Sequence, residues 1–113
     1  GAEDMTGEER YLVAFITTGT AEEAHRIADT LVNERLAACV NVLPQCRSVY
    51  RWEGELQHDE EALMIVKTSR AALAGLEKRV LELHSYDVPE IIAVDLSDVS
   101  SGYLAFLRDS LSS

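Results

Sequence analysis

The hydrophobic period of this chain changes several times, and the order of those changes is what most constrains its fold. Tyr11-Leu12-Val13-Ala14-Phe15-Ile16-Thr17 is a short, nearly continuous apolar run, the pattern of a strand covered on both faces at the centre of a sheet. Thr18-Gly19 breaks it. Thr20 and Glu23 then stand at capping-box spacing, and Ala24, Ile27, Ala28, Leu31 and Val32 recur at i, i+3, i+4, i+7, i+8. An amphipathic helix is expected there, ending near Arg35.

Ala38-Cys39-Val40-Asn41-Val42-Leu43 starts a second strand, which Pro44 interrupts. Proline has no N–H to give to a ladder, so a bulge or bend is expected at this point. Val49-Tyr50-Arg51-Trp52 resumes the strand, Glu53-Gly54 makes a tight turn and Glu55-Leu56-Gln57 returns, giving a long bent hairpin. Past the acidic run His58-Asp59-Glu60-Glu61, the segment Ala62-Leu63-Met64-Ile65-Val66-Lys67-Thr68 re-enters the sheet centre. Ser69 is placed to cap a second helix, with Leu73, Leu76, Val80 and Leu83 on one face and His84 at its end. Ile91-Ile92-Ala93-Val94 reads as the fourth strand, and Tyr103, Leu104, Leu107 and Leu111 mark a final helix. The order β-α-β-β-α-β with a C-terminal helix is the split βαβ, or ferredoxin-like, arrangement, an α+β fold.

At 113 residues the chain has room for one domain, read as residues 10–113. Residues 1–9 read as a flexible lead-in, with Gly1-Ala2-Glu3-Asp4 ahead of Met5 as a tag remnant. A domain of this size buries only about two-thirds of its unfolded surface, so oligomerisation is a natural way to cover more. The 20 Asp and Glu residues outnumber 10 Lys and Arg for a net charge of −10, which opposes nucleic acid and anionic membranes as partners. No run approaches the roughly 18 apolar residues that cross a bilayer, and a cytoplasmic location is expected. Cys39 and Cys46 match neither a redox nor a zinc-ribbon spacing. Cys39 reads as a small hydrophobe, and Cys46 as exposed.

Ferredoxin-like folds serve many activities, so function has to come from sites. An RNA-recognition domain would carry aromatics where Phe15-Ile16-Thr17 and Met64-Ile65-Val66 stand. A thiolate metallochaperone would have paired cysteines, and an acylphosphatase-like enzyme an arginine, where Thr17-Thr18-Gly19-Thr20 stands. The stretch His84-Ser85-Tyr86-Asp87-Val88-Pro89-Glu90 crowds an imidazole, a phenol and two carboxylates around a proline. Those side chains can bind a cation or a small ligand. Equally, His84 can close the helix, Tyr86 cover the core and Pro89 start the strand. No nucleophile, base and orienting group stand in recognisable relation, so an enzyme is not expected.

Leu36-Ala37-Ala38-Cys39-Val40-Asn41-Val42-Leu43-Pro44, Ser48-Val49-Tyr50-Arg51-Trp52-Glu53-Gly54, Lys67-Thr68 and the segment from His84 to Glu90 together resemble the CutA family of divalent-cation tolerance proteins. The motifs agree in order and spacing from about Tyr11 to Leu111. The resemblance implies a homotrimer joined by intermolecular pairing of the hairpins, related in architecture to the PII signalling proteins, and a link to copper and other divalent cations. It further implies an inter-subunit cleft near Lys67, His84, Tyr86, Pro89 and Glu90, with Cys39 counted there and Trp52 and Tyr50 on the assembling hairpin. Ser85 stands where the family often has proline, and Ile16 where some members carry cysteine. A copper mode that relies on that thiolate is therefore not expected. His84, Glu90 and Asp87 become the candidate ligands, with a further one expected from the acidic strand or a neighbouring subunit, a set suited to Cu(II) or another divalent cation. The alternative is a PII-like signalling module that takes a small effector in the cleft, Lys67 meeting an anion between walls of Tyr86 and Trp52. The tight turn at Glu53-Gly54 leaves no long loop to report a bound effector.

Overall fold

The apolar run lies where its composition demands, between two other strands. In a computed structural model describing residues 10–112, β1 (Tyr11–Thr18) is flanked by β3 (Glu55–Ser69) and β4 (Ile91–Asp95), and β2 (Cys39–Trp52) adds to the far side of β3. Every pairing is antiparallel, and the order across the sheet is β2-β3-β1-β4. Helix α1 (Ala21–Asn33) links β1 to β2, α2 (Arg70–Leu83) links β3 to β4, and α3 (Ser101–Leu111) follows β4. This is the expected ferredoxin-like α+β fold. The lead-in expected over residues 1–9 lies outside the described residues.

Alternation along β1 sorts its side chains onto two faces. On one, Leu12, Ala14 and Ile16 are fully buried, and Ala62, Met64 and Val66 of β3 join Ile27 and Leu31 of α1 and Leu76 and Val80 of α2. Each large side chain so buried contributes about 1.5–3 kcal/mol relative to exposure, which makes this helix-covered layer the main source of stability. The opposite face is covered only in part. Helix α3 lays Leu104 and Leu107 against Tyr11 and Ala38, while Ile92 and Val94 on β4 each remain 56% exposed.

Both early helices begin as their sequences predict. Thr20 Oγ1 accepts from the Glu23 N–H at 3.1 Å, and Ser69 Oγ from the Ala72 N–H at 3.1 Å. The first is only half of a capping box, because the Glu23 carboxylate turns to Ser85 instead of back to Thr20. The helix expected to reach Arg35 stops at Asn33. Arg35 adopts a left-handed φ of 60°, and the N–H groups of Leu36 and Arg35 bond the carbonyls of Leu31 and Val32 at 2.9 and 3.1 Å, a Schellman end. Glycine usually takes that position. Here the Arg35 guanidinium gains carbonyl acceptors on Asp109 and Ser110 at the end of α3.

Strands β2 and β3 stay paired from Cys39↔Lys67 to Trp52↔Glu55, with a register shift between Leu43 and Cys46 that answers to Pro44. Cys46, expected to be exposed, is half-buried because pairing resumes at this residue, opposite Glu61. The acidic run is part of β3, which crosses it without a break. Its residues before Ala62 have no β1 partner, since β1 ends at the Thr18↔Ala62 pair. They and β2 from Cys46 onward form an arm beyond the main sheet, on which Val49, Trp52 and Leu56 are 60%, 64% and 60% exposed.

At the tip of the arm Glu53 and Gly54 have φ of 50° and 81°, the double left-handed conformation of a two-residue hairpin turn. For Glu53 that conformation costs about 1–2 kcal/mol, whereas asparagine adopts it routinely. Replacing Glu53 with Asn is expected to stabilise the protein by about 0.5–1 kcal/mol, read from the urea midpoint at fixed protein concentration. No gain in midpoint would show that the turn is not under strain.

Candidate functional site

The connection from α2 to β4 is tied to both β1 and α1. His84 caps α2, its N–H bonding the Val80 carbonyl at 2.8 Å, and its side chain is fully buried. The ring Nε2 lies 2.7 Å from the Thr17 carbonyl at the end of β1, and the Tyr86 N–H points at Nδ1 from 3.0 Å. Glu23 reaches across from α1. Its carboxylate accepts from the Ser85 N–H at 2.7 Å and the Ser85 hydroxyl at 2.9 Å, and stands 3.6 Å from His84 Nδ1. Burial pushes the Glu23 carboxyl up, but the two Ser85 bonds, with the Arg26 guanidinium nearby, outweigh it and hold the group below the usual carboxylate value.

Tyr86 leaves this junction toward the arm. Its ring tilts against His84 at 4.8 Å, and its hydroxyl donates to Glu61 Oε2 at 2.9 Å. A Cβ at Gly19 would stand 3.4 Å from that hydroxyl, so glycine lets the phenol lie close to the backbone. Burial, followed by the bond to Glu61, pushes the Tyr86 phenol up to about 12. On the arm itself Tyr50 donates to Asp59, which also raises its phenol.

Between arm and connection runs a groove of about 680 Å³. Tyr50, Trp52, Asp59 and Glu61 form one wall, and Tyr86, Asp87 and Glu90 the other. Five of the residues singled out from the sequence, Tyr50, Trp52, Tyr86, Asp87 and Glu90, are therefore brought together. His84 lies beneath them in the core, and Pro89 is half-buried in the connection. Lys67 and Cys39 are elsewhere. Lys67 donates to Asn41 and stands 4.0 Å from Cys39 Sγ, about 20 Å along β3 from Glu61 at the usual rise per residue. Tyr103 of α3 approaches the same thiol, and burial with that contact raises its phenol.

Sequence reasoning pointed to the acidic strand without singling out Asp59 and Glu61. The signal was strand alternation: once β3 is continuous, these two share one face of the acidic run, and His58 and Glu60 take the other. Glu23 was missed for a different reason, since capping-box spacing gave its carboxylate a local partner it does not use. Among the described residues, no group of three or more His, Cys, Asp or Glu converges closely enough to hold a metal ion.

The environment of Tyr86 makes a spectroscopic prediction. A phenol raised from 10.0 to about 12 adds stability that is fully present below pH 10 and is lost as pH rises through about 12. The phenolate absorbance missing from Tyr86→Phe is expected to titrate near 12, and earlier when Glu61→Gln removes the charge. A midpoint that stays at 10 would mean that Tyr86 is neither held against the domain nor bonded to Glu61.

Known proteins share this fold. The profile of the CutA1 divalent ion tolerance proteins matches residues 12–110. The divalent-cation tolerance protein CutA of Thermus thermophilus is 47% identical over 98 residues, covering 87% of this chain and 95% of its own. The human protein CutA is 39% identical over 95 residues, covering 84% of this chain and 53% of its own. This chain thus spans about half the length of the plant and animal relatives it matches. The crystal structure of CutA1 from Oryza sativa superposes with a TM-score of 0.89 at 40% identity, over 91% of this chain and 94% of that one. CutA from Synechococcus elongatus gives 0.91 at 29% identity, over 99% and 96%. With the profile spanning nearly all of the sheet and helices just described, the chain belongs to the CutA1 family of divalent ion tolerance proteins.

Proposed function

We propose that this protein serves in the response to divalent cations, as a homotrimer that binds such a cation through the carboxylates of the groove and carries out no catalysis. The observation that carries this reading is the meeting of Asp59, Glu61, Asp87 and Glu90 along one groove, on a chain of net charge −10. The name of the family points the same way. Because no three ligands converge within one chain among the described residues, the cation takes further donors from water or a neighbouring subunit.

The case for assembly rests on surface that a monomer leaves uncovered. The arm exposes Val49, Trp52 and Leu56, and the open sheet face exposes Ile92 and Val94. Edge strand β2 presents unpaired backbone along the same arm. Pairing each arm with a neighbour satisfies both, and three such head-to-tail contacts close into a ring. A second reading, a PII-like module binding a small effector, draws on the aromatic walls Tyr50, Trp52 and Tyr86. Lys67 does not line the groove within one chain, so an anionic effector would need a cation from another subunit.

Light scattering on a size-exclusion column is expected to give about three times the chain mass of 12.5 kDa. A monomer at micromolar concentration would refute the assembly. Calorimetry is expected to show divalent-cation binding that weakens by about tenfold or more when Asp87→Asn and Glu90→Gln are combined. Unchanged affinity in the double variant would remove the groove from the function.

A further inference from the structure

His84 stands three residues from Asp87 and six from Glu90, and an imidazole beside carboxylates is a common donor set for copper or zinc. The contacts around its ring describe a different role. A carbonyl oxygen only accepts, so the 2.7 Å contact from Nε2 to Thr17 requires that Nε2 carry the ring hydrogen. The lone pair of Nδ1 is then the acceptor for the Tyr86 N–H at 3.0 Å. A cation at Nδ1 would strand the Tyr86 amide, and one at Nε2 would displace the hydrogen that the Thr17 carbonyl binds. Either breaks a bond that the ring now makes at this junction and leaves its partner unsatisfied. The ring itself has no exposed surface.

We infer that His84 is a positioning residue, not a metal ligand, which holds Tyr86 against Glu61 and leaves an all-oxygen donor set in the groove. Neither cysteine lines the groove, and His58 is not among its lining residues, opening instead onto a second hollow on the arm that shares only Asp59 with it. The donors that remain are carboxylates, tyrosine hydroxyls and the Thr17 position. Such a set suits oxygen-preferring cations of the manganese, magnesium or calcium class better than copper. This statement about cation class rests on the cation-binding reading above. The role of His84 does not.

The test begins with nitrogen NMR of the histidine rings in the whole protein, with and without Zn(II). His84 is expected to show a protonated Nε2 and a bare Nδ1 in both conditions; a zinc-induced change at either nitrogen, with loss of the Tyr86 amide bond, overturns the inference. In His84→Leu the Tyr86 amide is expected to lose its protection from hydrogen exchange. His84→Asn, whose side-chain carbonyl can replace the Nδ1 acceptor, is expected to restore it. Failure of that rescue in a folded variant removes the positioning role. Titration with Mn(II) and Cu(II) separates the two readings. Mn(II) affinity in His84→Asn is expected to stay within about twofold of the parent, and a loss of about tenfold at unchanged Tm would make His84 a ligand after all. Copper outbinds manganese at almost any donor set, so the donor type is read from the paramagnetic resonance spectrum of bound Cu(II): nitrogen hyperfine coupling in the parent overturns the all-oxygen assignment. A parent that binds no cation refutes the cation-binding reading and that assignment, while the ring spectra and the Asn rescue still decide what His84 does.

Discussion

Strand β3 has to satisfy two environments along one continuous backbone. From Ala62 to Thr68 it is a central strand, with alternate residues fully buried under two helices. Before Ala62 it has lost its β1 neighbour and pairs only with β2. A strand cannot change face without a bulge, so the alternation set by the buried half carries through the exposed half. That inheritance places Asp59 and Glu61 on the same side as the connection from α2 to β4. The groove exists because the core fixes the pleat.

The other wall of the groove depends on a buried polar junction. Thr17, Glu23, His84 and Ser85 come from the end of β1, the first turn of α1 and the end of α2, and their polar groups satisfy one another. No buried side-chain nitrogen or oxygen among the described residues lacks a partner. A network of this kind favours one arrangement of the chain, because losing a member leaves another unpaired at low dielectric. Its outward consequence is the place of Tyr86. The phenol arrives at Glu61 with its hydroxyl close to Gly19, joining the core of the domain to the arm.

Much of the fold could be read from residue order. The caps at Thr20 and Ser69, the bulge at Pro44 and the turn at Glu53-Gly54 each follow from local chemistry, and each stands where expected. The end of α1 was less legible. Nothing local marks Arg35 for a left-handed conformation, and the carbonyl acceptors for its guanidinium belong to α3, far along the chain. The site divides in the same way. Tyr86, Asp87 and Glu90 drew notice because they are crowded in sequence, whereas Asp59 and Glu61 could be told from His58 and Glu60 only once the pleat of β3 was fixed.

The sequence by itself determined which segments are strands and helices, that the sheet is antiparallel with β1 inside it, and that the chain belongs with the divalent ion tolerance proteins. These properties follow from periodicity, turn chemistry and motifs, all of which are local. Tertiary structure alone decided what the polar residues do. Glu23 abandons its own helix cap for Ser85, His84 turns inward to a carbonyl and an amide, and Lys67 sits with Asn41 and Cys39 far from the groove. The reason is that a polar side chain bonds the partner that burial leaves nearest. That partner is set by how distant segments pack, which residue type and spacing do not record.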